Sequence, residues 1–182
     1  MNITNKQILK VLYVLAWIIV IGLCVEAGGI LFNTFYTMVI NPIGAKSFWK
    51  GMDLSGLYEY DKGYYIAETM LMSIVTLMQA ILFYLIVKVS YDKKLNLIQP
   101  FSEEVKCFIS KASYLSLAIG LLSFLGVRNT VGLITQGVDM PDVQRLGFGG
   151  ADVWIFMGIV LLVIVKVFER GIEIQAENDL TI

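Results

Sequence analysis

V-W-I-F-M-G-I-V-L-L-V-I-V-K-V-F, residues 153–168, runs without a break signal into E-R-G-I-E-I-Q-A-E-N-D-L-T-I, residues 169–182. The first half is apolar at almost every position, whereas a helix on a soluble core needs one polar face. Its solvent is therefore lipid over most of its circumference. The second half is charged and patterned, so the same stretch leaves the bilayer and presents a segment to water. The fold then depends on how many more such apolar stretches the chain holds.

Composition says several. The 182 residues are 57% hydrophobic and 16% charged, with a mean hydropathy of +0.73. Soluble domains carry about 25% charged residues, and no single soluble core could bury this much apolar surface. Residues 9–36, 66–90 and 112–134 join 152–168 as four predicted spans, with a tail at 169–182. A cleavable signal peptide competes for the first, because Val25-Glu26-Ala27 loosely resembles a cleavage site. The apolar run continues through Ile30, Leu31, Phe32 and Met38-Val39-Ile40 and is too long for a signal core. Asn41-Pro42 should end the helix, since the residue before proline is biased away from helical backbone.

The connections differ in character. Residues 41–65 are dense in aromatics (Phe48, Trp49, Tyr58, Tyr60, Tyr64, Tyr65). They read as an interfacial belt or, more sharply, as a stacking platform. The 88–111 connection carries Lys88, Lys93, Lys94, Lys106 and Lys111, and Ser102-Glu103-Glu104 after Pro100 reads as a helix start. A Gly/Asp/Pro-rich loop, 136–151, leads to the last span. The expected fold is all-α, a single-domain integral membrane four-helix bundle with a helical C-terminal extension. Four spans place both termini on one side, and Lys/Arg favour that side by nine to four. The positive-inside rule makes it the cytoplasm.

Several functions are excluded or disfavoured. A net charge of −1 leaves no basic footprint for nucleic acid. The chain has no histidine, hence neither the commonest metal ligand nor the usual general base. Cys24 and Cys107 are far apart, in segments expected in different compartments, and form no C-x-x-C pair. No phosphate loop, metal-ligand cluster or nucleophile–base pair is present. The expectation is no enzyme, no catalytic residue, no metal and no cofactor.

Lipid gives helices no hydrophobic reason to associate, so small residues and interhelical hydrogen bonds must hold them. Stripes suited to this are Gly22, Glu26, Gly29, Asn33; Thr69, Ser73, Thr76, Ala80; and Ser113, Ser116, Gly120, Ser123. The fourth span offers only Gly158. Glu26 lies within the first span, where an unpaired charge costs at least about 2.5–3.5 kcal/mol. Arg128 is its one plausible intramembrane partner, and Glu68 and Asp152 start their spans at the same level. Glu26, Glu68, Arg128 and Asp152 thus form a candidate polar cluster. It reads either as a register-fixing ion pair flanked by solvated caps or as a small site for a cation, proton or ligand. On a helical tail, Glu169, Glu173 and Glu177 make an acidic stripe, and Phe168, Ile172, Ala176 and Leu180 an apolar one. Glu169, Ile172, Glu173, Ala176, Glu177 and Leu180 are the candidate partner-binding residues.

Gln99-Pro100-Phe101, Asp53-Leu54-Ser55 and the ending F-E-R-G-I-E-I-Q-A-E-N-D-L-T-I together resemble the bacterial family catalogued as domain of unknown function 2975. The resemblance covers essentially the whole chain. It implies a four-helix integral membrane protein of the bacterial inner membrane, without assigned activity and without catalytic residues to carry over. Members are often encoded beside a small helix-turn-helix regulator, which suggests a DNA-binding protein as partner. The expected function is therefore regulation or interaction, with the tail and the 88–111 connection binding a cytoplasmic protein. The alternative is a small-molecule or ion sensor, or a transport accessory, using the cluster around Glu26 and Arg128. An internal rival for the tail is the set of lysines at 88–111. Homo-oligomerisation is left open.

Overall fold

The computed structural model describes residues 5–91 and 101–179. Four long helices dominate: α1 (Asn5–Val39), α3 (Lys62–Tyr91), α4 (Glu103–Thr135) and α5 (Ala151–Asp179). A short α2 (Ser55–Tyr60) and two 3-10 turns, Pro42–Ser47 and Trp49–Gly51, fill the connection between α1 and α3. The expected spans correspond to apolar helical stretches Leu9–Val39, Lys62–Ser90, Glu103–Thr135 and Ala151–Glu177, each long enough to cross a membrane. The chain is a multi-pass, all-helical membrane protein, and the described residues contain no strand.

Helix ends follow the local chemistry. α1 stops before Asn41-Pro42, and the Asn41 side chain accepts from the Ile43 N–H at 3.0 Å to start the 3-10 turn. Ser102 caps α4 by accepting from Val105 N–H, with Glu103 and Glu104 in the first turn. The third helix therefore begins nine residues before the expected 112; its charged first turns stay helical because that cap initiates them. Gln99 and Pro100 lie outside the described residues. α5 does not break at Phe168 but continues as one helix to Asp179.

α2 is seeded by Asp53, whose carboxylate accepts from both the Ser55 backbone N–H and the Ser55 hydroxyl. These two bonds hold the Asp53 carboxyl below the ordinary carboxylate value. A carboxyl lowered in the folded state adds stability above its unfolded pKa, which is lost as pH falls through the folded one. Acidification below about pH 4 should therefore loosen α2, and hydrogen exchange at Ser55 to Tyr58 should accelerate there first. Asp53→Asn should remove that pH dependence.

The bundle is open. α1 packs on α3, α3 on α4 and α4 on α5, while α1 touches neither α4 nor α5. The helices thus form a line of neighbours in the order α1–α3–α4–α5. Edge helices bury less, as the most apolar windows show: 28% of α1 and 17% of α5 against 39% of α3 and 33% of α4. The rest of their apolar surface, including Phe32, Phe35, Phe156 and Val163, faces outward where lipid is the solvent.

One end joins everything. At the end carrying the 41–61 and 136–150 connections, a single core unites Ile30 of α1, Phe48, Leu54, Leu57, Tyr65 of α3, Leu133 of α4 and Phe148. At the end carrying the termini the core splits: Ala16, Val20 and Val87 bind α1 to α3, and Val105, Ile109 and Val165 bind α4 to α5. The molecule is two helix pairs that share one core from the loop end as far as Leu82 and Ile119 and have separate cores beyond it.

Candidate functional site

The aromatic connection is neither a simple belt nor a platform. Phe48 and Tyr65 are fully buried and meet edge to face at 6.1 Å, and Tyr58 packs edge to face on Tyr65 at 5.3 Å. Tyr60 and Tyr64 remain exposed. Four of these six rings, Phe48, Trp49, Tyr58 and Tyr65, therefore build or pack on the loop-end core instead of marking the interface.

That core carries a clasp back onto α1. Lys50 has a left-handed backbone (φ 56°), as does Gly51 (φ 71°), so the chain reverses between Phe48 and Met52, whose backbones pair. The reversal brings Lys50 Nζ to 2.6 Å from Glu26 Oε1 and lays the Trp49 ring on Gly29, with no room for a Cβ. Glu26 is thus paired with Lys50, not with the Arg128 that its depth suggested. The Gly22–Asn33 stripe likewise does not face a helix: Gly22 has open space, Gly29 receives Trp49, and Asn33 bonds the Gly29 carbonyl of its own helix. Glu26 lies within the Leu9–Val39 span, so the pairing offsets a charge that would otherwise cost at least about 2.5–3.5 kcal/mol there.

The other members of the candidate cluster are also separated. Arg128 and Asp152 are exposed, with no ion pair among the described residues. Glu68 is not a solvated cap; it is 3% exposed, and its one side-chain hydrogen-bond partner among the described residues is the Thr130 hydroxyl at 2.8 Å. Its burial against α4, through Thr130, is not foreseen by hydropathy alone.

The two remaining stripes do form seams. Thr69, Ser73, Thr76 and Ala80 are buried, and the three hydroxyls donate to carbonyls one turn back on α3. Ser113, Ser116, Gly120 and Ser123 are buried on α4. Ser113 Oγ donates to the Gly158 carbonyl at 2.8 Å, so Gly158 is a point of close approach, as its isolation in a bulky span suggested.

The terminal end carries recesses, and two bear on the regions singled out from the sequence. One, of about 420 Å³, lies between α3 and α4 and is lined by Lys88, Glu103, Glu104, Cys107, Phe108 and Lys111. The other, of about 600 Å³, runs along α5 past Phe101, Val163, Val167, Arg170, Gly171 and Ile174. The first lies in the 88–111 connection; the second lies along the tail helix, but its lining residues Arg170, Gly171, Ile174 and Gln175 are not the six tail residues singled out from the sequence. Cys24 and Cys107 are free and exposed.

The tail itself is only partly as expected. Glu169 pairs with Lys166 and Glu173 with Arg170, each at 2.8 Å on the same helix, so the acidic stripe is largely neutralised by cations three residues earlier. Reading the acids alone misses that spacing. Phe168 packs on Phe101 at 5.2 Å, and Gly171 leaves the room that ring needs. Ile172 is half-buried, Ala176 and Glu177 are exposed, and Leu180 lies outside the described residues. The connection thus meets the start of the tail through this ring contact, whereas Lys106, one of the lysines expected to hold the tail, pairs with Glu103. Ile174 stays 45% exposed in the second recess.

No curated protein and no solved structure matches the chain. A family model does, over residues 49–182, leaving α1 outside the match. That stretch holds the loop half of the clasp, the buried Glu68, both recesses and the tail, and through it the chain belongs to the family described as Protein of unknown function (DUF2975).

Proposed function

We propose that this is a regulatory or interaction protein of the bacterial inner membrane, not an enzyme, whose terminal end faces the cytoplasm and docks a protein. The nine-to-four excess of Lys and Arg supports that orientation. The observation that carries the reading is the pair of recesses opening at one end, beside Ile174 and between Lys88 and Lys111. An apolar groove rimmed by Arg170 and neutralised acids suits an amphipathic helix laid along α5. A small helix-turn-helix regulator has such a surface, and its capture would withdraw it from DNA.

The test is photo-crosslinking from Gln175 in native membranes. The expected product is a cytoplasmic protein, and Ile174→Lys should cut its yield about tenfold, as losing one apolar anchor does. Capture of lipid alone, or equal capture by the Ile174→Lys protein, would sink the reading.

A further inference from the structure

We propose that Glu68 binds a proton as part of the joint between the two helix pairs, and that releasing it parts α3 from α4. This goes beyond partner docking and stands or falls separately. Among the described residues, the contact from Thr130 to Glu68 is the one side-chain hydrogen bond across the α3–α4 seam. It sits at the loop end, where the shared core joins the pairs.

Hydrogen-bond accounting points to the neutral acid. Thr130 Oγ1 lies 2.8 Å from Glu68 Oε1 and 2.9 Å from the Gly126 carbonyl. A hydroxyl has one proton and cannot serve both acceptors fully. With a protonated Glu68, the carboxyl supplies one bond and the hydroxyl the other, and both are made. The Gly126 carbonyl keeps its helical N–H either way, but a carboxylate would be left with a share of one hydroxyl proton at a site only 3% exposed.

No charge stands ready to replace the proton. On α1, Glu26 is held by Lys50, and on α4, Arg128 is exposed. On α2, Tyr58 packs against Tyr65, Glu59 is exposed, and Tyr60 donates to Gln136. On α3 itself, the Tyr65 hydroxyl one turn away is buried beside the Thr37 hydroxyl of α1, and Asp61 and Lys62 are exposed. Dissociation turns Glu68–COOH into carboxylate and sends the proton to the water beyond Lys62, about 9 Å along α3. The carboxylate then gains solvation only if the seam opens.

The test uses the full chain in lipid nanodiscs, Cys24 and Cys107 replaced by serine, with spin labels at exposed Ile66 on α3 and Val131 on α4. As pH rises from about 5 to about 10, the wild-type distance should lengthen along a one-proton curve. Glu68→Gln, whose amide reproduces the neutral pattern, should keep the short distance throughout. Thr130→Val keeps the carboxyl but removes its partner, and should shift the midpoint of the curve. A wild-type distance independent of pH, the same curve in Glu68→Gln, or an unmoved midpoint in Thr130→Val would overturn the proposal.

Discussion

Gly120→Val should disrupt the α4–α5 pair and cost about 3 kcal/mol or more, the upper end of overpacking losses. A Cβ at residue 120 would lie 2.8 Å from the Ile155 nitrogen and 2.9 Å from the Ala151 carbonyl oxygen. These are backbone atoms of the facing helix, so no rotamer change relieves them. The helices must separate, breaking the Ser113–Gly158 bond and the packing of Val105, Ile109 and Val165. Gly132→Ala on the same helix is the control. Its Cβ would meet nothing, and replacing a helical glycine should gain about 0.5–1 kcal/mol. Denaturant unfolding in detergent measures both.

Phe148→Ala should have a comparable effect for the opposite reason. Its ring is fully buried over Gly126, and a Cβ there would come within 2.7 Å of three ring carbons. Removing the ring empties the middle of the core that joins the two pairs, at about 3–5 kcal/mol. Gly126→Ala alone should also destabilise, by forcing the ring aside. In the double variant the new methyl occupies part of the vacated space, so the losses should combine to less than their sum. The coupling should lie in the range of about 0.5–3 kcal/mol found for contacting residues. Strict additivity would mean that Phe148 and Gly126 do not share the contact described.

What the sequence makes legible is what local chemistry decides. The four spans, the stop at Asn41-Pro42 and the Ser102 cap follow from runs of a few residues. So do the small-residue seams on α3 and α4 and the close approach at Gly158, since helical spacing alone puts those residues on one face. Neighbour order is not legible: lipid is as apolar as the core, so the buried and lipid-facing sides of α1 and α5 read alike. The partner of Glu26 depends on a left-handed reversal at Lys50-Gly51 that returns the loop along α1, and no periodicity announces it. Burial of Glu68 depends on how closely α4 approaches the start of α3 at Thr130, which no local pattern announces. The neutralised tail was within reach, because Lys166 and Arg170 precede Glu169 and Glu173 at helical spacing.

The central claim is that the terminal end opens to the cytoplasm through a cleft between the two pairs. Cys107 lines that cleft and is exposed, while Cys24 is exposed along the membrane-spanning part of α1. A membrane-impermeant maleimide applied to cells therefore reads orientation and opening together. The account predicts that Cys107 is labelled only after the inner membrane is permeabilised and that Cys24 is labelled in neither case. Labelling of Cys107 in cells whose inner membrane is intact, or its protection after permeabilisation, would contradict it.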